Sequence, residues 1–387
     1  MKSLNLKSLT EVRIAGATYI GAPLPSGRGS AGATGRISDS RIEQQIGQSG
    51  NILLVRLRSL GDSVLMTPIP RIVKQWRPGA KVSVLIEEPF AGVFKGNPCV
   101  DEVLAIPRCE NILRRIRRMA AIRRRKFDLV FNMHSGTTAG LFALASGAAV
   151  RVAYASARYA RKFNVRVPPS EAFWEAPIHT VEHQLSPLMH LGIPVPEKIE
   201  LELHPDGAVL DKIRSRIRDL GLSPEQFLLM HPFATLFTKE WELSRYSQLA
   251  GRLRERYGRP VIATAGPAET GKMRRLKEMA GDSVIGLENL ELPELIGWIS
   301  QCGLFIGNDS GPTHVAAALK RKIVVIWGSS DYRAWHPWGV DYQLLRADLP
   351  CIPCPGYRCY EFDSPKCIES ISVEHVLHAV ERMRPFA

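Results

Sequence analysis

The sequence predicts two doubly wound α/β domains, and three observations carry that prediction. Short apolar runs alternate with helix-like stretches twice over, first from residue 51 to about 191 and again from 227 onward. That alternation of strand and helix builds mostly parallel sheets with helices on both faces. Between the two runs lies 194–224, which contains prolines, a polar helix and few strand signals, and reads as a linker. At 387 residues the chain is also too long for one ordinary domain and comfortable for two.

The first run opens with a strand over 51–57, where Ile52, Leu53, Leu54, Val55 and Leu57 are interrupted only by Arg56, as a buried parallel strand should be. A turn and a helix ending near Trp76 follow, then strands over 81–87 and 100–106. An arginine-rich helix, a strand over 127–132 and a small-residue helix from Gly136 come next. A helix over 177–191 closes this half, with Gly192-Ile193-Pro194 as its stop. The second run gives strands over 227–231, 260–265, 283–286, 304–306 and 322–327, with helices between them, one of them over 244–257. A last helix covers 373–383 and is expected to pack back on the first domain. The expected domains are therefore 51–205 and 206–387. Residues 1–50 are rich in Ser, Gly and Ala and lack a continuous apolar segment ahead of a cleavage site, so they read as a disordered extension and not as an export signal.

Composition narrows the function classes. No apolar run reaches the ~18 residues a membrane-spanning helix needs. The net charge is +13, and part of the excess sits in 114–126, which holds seven arginines and a lysine. Such a helix suits anionic lipid headgroups or an acidic glycolipid, with a plain solvated face as the alternative. The aromatics expected of a base-stacking surface are missing there, so nucleic acid is not an expected partner. Four of the seven cysteines cluster as Cys351, Cys354, Cys359 and Cys367. They are candidates for a structural zinc or an iron–sulfur cluster, although their spacing is not the double CxxC of a zinc ribbon. Packed, reduced thiols of a cytosolic protein are the alternative.

Chemistry-bearing motifs fall where strands end. The segment Gly307-Asn308-Asp309-Ser310-Gly311-Pro312-Thr313-His314 follows one apolar run and precedes another. Its small residues lie at a strand-to-helix junction, where free backbone N–H groups and the positive helix end converge on an anion, with Asp309 able to accept from hydroxyls. After the first strand, Gly61 permits a tight turn and Asp62 stands at the entry of the next helix. It reads as an ordinary helix-start carboxylate or as a base for an incoming hydroxyl. After the strand ending at His231, Thr235, Thr238 and Lys239 offer hydroxyls and a cation to a diphosphate. Three matches read as decoys. Gly27-x-Gly29-x-x-Gly32 lacks a preceding strand, Gly266–Lys272 has Met273 where a P-loop needs Ser or Thr, and His179–His183 copies an inverted zinc-protease motif without other support.

Together these segments resemble glycosyltransferase family 9, the ADP-heptose:lipopolysaccharide heptosyltransferases and their relatives. The resemblance rests on 52–68 with Leu60-Gly61-Asp62, on Trp76-Arg77-Pro78-Gly79-Ala80, on 231–241, on 308–318, on Gly328-Ser329-Ser330-Asp331 and on the cysteine-bearing tail. It covers about residue 51 to the C-terminus. It implies a GT-B architecture, two Rossmann-like domains facing across a cleft, the second holding the nucleotide-sugar. It also implies Asp62 as general base, and Thr235 and Lys239 on the diphosphate. Glu269 would bind ribose hydroxyls, the backbone of Leu290 would meet adenine, and Asp309, Ser310, Gly311 and His314 would surround sugar and phosphates.

The implied reaction is a single in-line displacement that inverts the anomeric carbon. An ADP-sugar is the expected donor and an anionic lipid-linked saccharide, such as a lipopolysaccharide core, the expected acceptor. No cofactor and no metal are expected, in keeping with the missing DxD carboxylate pair. The expected location is the cytoplasm, at the inner face of the membrane through 114–126. Two rivals stay open: an epimerase-like enzyme acting on the donor alone, and an inactive basic module bound to membrane or nucleic acid.

Overall fold

The structure is a computed structural model that describes residues 10–14, 17–21 and 50–386. Two short strands come first, β1 (Thr10–Ile14) and β2 (Ala17–Gly21). The chain then forms two compact units that divide between His204 and Pro205, the second also taking in β1 and β2.

The first unit starts with β3 (Asn51–Val55), whose last four residues are buried. Next are α1 (Leu60–Leu65), α2 (Pro68–Trp76), β4 (Lys81–Glu87) and β5 (Glu102–Ile106). The arginine-rich segment forms α3 (Ile112–Arg123), capped by the Asn111 side chain, which accepts from the Arg114 amide at 2.9 Å. It is followed by β6 (Leu129–Asn132), α4 (Thr137–Ala145), β7 (Val150–Tyr154), β8 (Val165–Val167) and α5 (Thr180–His190). The six strands are parallel in the order β5-β4-β3-β6-β7-β8. Chain order reverses between β3 and β6, and in such sheets ligands bind outside the carboxyl ends of the strands at that reversal.

The second unit repeats the plan. It runs α6 (Gly207–Asp219), β9 (Leu228–His231), α7 (Leu243–Tyr257), β10 (Val261–Thr264), α8 (Thr270–Ala280), β11 (Val284–Leu287) and α9 (Leu292–Gln301). It continues with β12 (Leu304–Asn308), α10 (Gly311–Ala318), β13 (Lys322–Trp327), α11 (Tyr332–Trp335), β14 (Tyr342–Ala347), α12 (Lys366–Glu369) and α13 (Val373–Met383). Six parallel strands follow the order β14-β13-β12-β9-β10-β11, so β9 and β12 flank this sheet's reversal point.

Three differences from the sequence reading have physical causes. The strands β7, β8 and β14 were not expected, and each interrupts its apolar pattern with arginine: Arg151, Arg166 and Arg346. The stretch expected to be an extension without folded elements contributes β1 and β2, an antiparallel pair that adds to the edge strand β14. The remainder of that stretch lies outside the described residues, as does Gly27-x-Gly29-x-x-Gly32. The last helix, expected to pack back on the first domain, gives its apolar side chains to the second unit. Val373, Val376, Ala379, Val380 and Met383 of α13 belong to the second unit's core, with Trp241, Tyr246 and Leu249.

Candidate functional site

Asp62 lies one turn into α1, just past the end of β3. The residue capping that helix is Ser59, and Asp62 is the third residue after it. The Ser59 hydroxyl donates to Asp62 Oδ2 at 2.8 Å, and its amide approaches the same oxygen at 3.4 Å. The other oxygen, Oδ1, is ion-paired with Arg56. Arg56, the one polar interruption in the first apolar run, also donates to the carbonyl of Met133, past the end of β6. One guanidinium thus joins the ends of the two strands that flank the sheet's reversal.

The surroundings of Asp62 are histidine-rich. Burial first, and then Arg56, hold the His134 imidazole down at about 4, so it is neutral at physiological pH. Gly136 leaves it room, since a Cβ there would come within 2.8 Å of His134 Nε2. His183 stacks on Tyr154 with ring centroids 4.4 Å apart and shares a 2.7 Å hydrogen bond with Ser170. Burial lowers the His183 imidazole and raises the Tyr154 phenol. Among the described residues, Asn132 Nδ2 and His134 Nδ1 are buried without a hydrogen-bond partner, and both follow from the end of β6. Polar atoms left in this way suit an incoming polyhydroxyl ligand.

In the second unit the loop after β9 and the junction after β12 come together. Lys239 Nζ lies 2.7 Å from Asp309 Oδ2, with both side chains largely buried. Ser330, beyond β13, donates to the same carboxylate oxygen. Asn308 fixes this arrangement. Its Oδ1 accepts from the Trp241 amide at 3.2 Å and the Tyr246 hydroxyl at 3.0 Å, while its Nδ2 donates to the Pro232 carbonyl at 3.0 Å.

Ser310 caps α10, and Pro312 in the first turn has no N–H to offer. That leaves the Gly311 amide and Ser310 Oγ at the positive helix end. Ser310 Oγ is buried and has no hydrogen-bond partner among the described residues. His314 lies one turn on, buried, with its ring 6.2 Å from that of Trp335.

Glu269 and Leu290 sit at the next strand ends. Glu269 accepts from the Gly266 amide at 2.8 Å and lies 3.6 Å from His231 Nε2. Burial alone would raise its carboxyl, but His231, the Gly266 amide and Lys272 together hold it below the usual range. The Thr264 hydroxyl donates to Met230 O at 3.3 Å and is paired with His231 Nδ1 at 3.2 Å, which fixes the ring with Nε2 toward Glu269. The Leu290 amide is committed to Ala265 O at 3.0 Å, and its carbonyl lies beside Gly266.

The remaining sequence candidates divide. Thr235 is exposed on the loop. Thr238 is buried with its hydroxyl occupied, donating to Gly356 O at 2.6 Å and paired with Ser329 Oγ at 3.0 Å, so it holds the loop in place. Lys272 binds both oxygens of Glu240 at 2.7 Å, which accounts for the P-loop lookalike. His179 and Glu182 cap α5: His179 Nδ1 accepts from Val181 N at 3.1 Å, and Glu182 accepts from His179 N at 2.7 Å. All seven cysteines are free thiols, and burial pushes Cys367 up to about 11. Among the described residues, no three His, Cys, Asp or Glu side chains are grouped to hold a metal ion.

Sequence reasoning passed over Arg56, Asn132, His134 and Ser330 as site residues. Arg56 left a trace as a lone charge in a buried strand. The others become visible only once strand order brings β3 beside β6 and β12 beside β13.

Comparisons with known proteins agree with this layout. The sequence model of glycosyltransferase family 9 (heptosyltransferase) matches residues 115–363, more than half of the chain. Lipopolysaccharide heptosyltransferase 3 of Escherichia coli K12 is 27% identical over 359 residues, covering 85% of this chain and 96% of that one. The crystal structure of a family 9 glycosyltransferase from Veillonella parvula superposes with a TM-score of 0.75 at 21% identity, covering 86% of this chain and 97% of that chain. The Escherichia coli ADP-heptose LPS heptosyltransferase II does so with a TM-score of 0.71 at 20% identity, over 86% and 98%. With two doubly wound α/β units of the GT-B class and motif residues at the reversal point of each sheet, the chain belongs to glycosyltransferase family 9, the heptosyltransferase family.

Proposed function

We propose that this glycosyltransferase moves a heptose, or a closely related sugar, from an ADP-activated donor to a lipopolysaccharide core or similar lipid-linked saccharide, with inversion. The reading is carried by the Lys239–Asp309–Ser310 cluster at the second sheet's strand reversal, while the first sheet's reversal presents the Arg56-paired carboxylate of Asp62. The names of the relatives supply the sugar, the nucleotide and the acceptor class.

In the proposed step the acceptor oxygen bonds to the anomeric carbon while the bond to the distal phosphate of ADP breaks. The bonding pair leaves on that phosphate, and the acceptor's hydroxyl proton passes to Asp62. The Arg56 ion pair and the Ser59 hydroxyl hold this carboxylate in place to accept a proton that becomes acidic only as the new bond forms. Asn132 and His134, with buried atoms to spare, hydrogen-bond the acceptor. Negative charge growing on the leaving diphosphate meets Lys239, Thr235, Ser310 Oγ and the Gly311 amide. Asp309 holds Lys239 in position and accepts from sugar hydroxyls, Glu269 binds the ribose, and the Leu290 carbonyl meets the adenine amino group. His314 lines the sugar pocket.

Two variants test the assignments. Asp62→Ala should lower kcat by about 10²–10⁴-fold while donor affinity in calorimetry is unchanged. Near-normal turnover would sink the base assignment. Lys239→Ala removes a charge-assisted contact of about 1.5–3 kcal/mol, so donor affinity should fall about ten- to a hundredfold. Unaltered affinity would take Lys239 out of the donor site. Product analysis with and without an acceptor saccharide separates transfer from chemistry on the donor alone.

A further inference from the structure

The helix α3 is turned inside out. Of its 12 residues only Ile122 is buried. Ile112, Leu113 and Ile116 are 64%, 64% and 54% exposed. They are three of the ten large apolar side chains that stand exposed among the described residues, and all three lie within a single stretch of five.

At 3.6 residues per turn, 112, 116, 120 and 113 fall within about 100° of the helix circumference, the middle of that arc about 130° from Ile122. Ile112, Leu113, Ile116 and Ala120 form one exposed apolar strip, interrupted at its C-terminal end by the exposed Arg123. Arg124 continues it and Arg117 borders it, both exposed. Residues 111–126 carry eight basic side chains and no acidic one. Two of the eight are offset nearby, Arg118 by Glu110 at 2.8 Å and Arg125 by Glu102.

A helix serving only as a solvated cover would put its arginines outward and its isoleucines inward. Here only Ile122 of the five large apolar side chains on α3 is buried, and Ile112, Leu113 and Ile116 stand exposed. An apolar ridge bordered by unbroken positive charge matches the boundary between headgroups and acyl chains in an anionic bilayer.

We propose that the outward face of α3 docks this protein on an anionic phospholipid bilayer. Ile112, Leu113 and Ile116 enter the acyl boundary, and Arg114, Arg117 and Arg124 meet the phosphates. Charge brings the helix to the surface, and the ridge keeps it there when salt screens the charge.

The test uses the full chain in flotation with phosphatidylcholine vesicles, with and without phosphatidylglycerol, at low and at physiological salt. Donor and acceptor are absent, so the result is independent of the transfer reading. Wild type should float only with the anionic vesicles. The Ile112→Ser, Leu113→Ser, Ile116→Ser triple variant alters exposed positions and should keep the wild-type Tm while partitioning at least about tenfold less at physiological salt. The Arg117→Glu, Arg124→Glu variant should lose a similar factor at low salt. Equal partitioning of the triple variant and wild type would overturn the proposal. So would equal binding to neutral vesicles, or salt-dependent binding to RNA without vesicle binding.

Discussion

His134 is held neutral beside Asp62 by burial and by Arg56, and that neutrality has a measurable consequence. Its imidazole falls from an ordinary 6.5 to about 4 in the folded chain, so the unfolded chain binds a proton that the folded chain refuses. For a base depressed in this way, the stabilisation is complete above about 6.5 and is lost as pH drops toward about 4. Denaturant titrations of wild type between pH 7 and pH 4 should show stability falling through this window, and His134→Gln should flatten the fall. An unchanged slope in the variant would mean that His183, which burial lowers in the same direction, carries the effect instead. Asp62 was legible as a candidate because Gly61 and the following helix are its sequence neighbours. Arg56, Asn132 and His134 were not, because their connection to it depends on β6 lying beside β3.

The loop after β9 shows what an element needs beyond its own residues. The turn at Phe237–Lys239 presents Lys239, yet its position is set by contacts from far along the chain: Ser329 after β13 and Gly356 in the cysteine-bearing segment. Close approach there demands glycine twice. A Cβ on Gly328 would lie 2.0 Å from the Thr238 carbonyl, and Gly356 has φ +76 with Ser329 Oγ 2.7 Å from its would-be Cβ. Thr238→Val keeps the shape and removes the hydroxyl, leaving the Gly356 carbonyl and Ser329 unsatisfied at a cost of about 1–3 kcal/mol. We expect a lower Tm and a several-fold weaker donor affinity for Thr238→Val, with Thr238→Ser close to wild type. If Val were neutral in both assays, the latch would not hold the loop. The cysteine-bearing segment read in sequence as a metal candidate or packed thiols, but its backbone at Gly356 and its Cys354 amide, which donates to Ser329 O at 2.9 Å, contact this loop region. Strands with unbroken apolar runs, such as β3, β9 and β12, could be read directly. The strands β8 and β14 could not, because Arg166 and Arg346 break their apolar patterns.

At the scale of the whole chain, both sheets share one strand order, with the first strand of each beside its fourth. A shared topology does not assign a shared ligand, because ligand choice lies in the side chains at the reversal points. The first presents Arg56, Asp62 and a neutral His134. The second presents Lys239, a capped helix start at Ser310 and a carboxylate at Glu269 that accepts from a backbone amide. The second brings together a cation, a free hydroxyl and a helix-start amide, which suit a nucleoside diphosphate. Saturating ADP at about 100 times its Kd should stabilise whatever it binds by about 2.7 kcal/mol. Read by hydrogen exchange, the added protection should fall on the loop after β9, on 265–271 and on the start of α10, with the amides around Asp62 unchanged. Acceptor saccharide alone should protect the segments at 58–63 and 132–136 and leave the second unit as it was. If ADP instead protected the Asp62 segments, the donor and acceptor assignments of the two units would have to be exchanged.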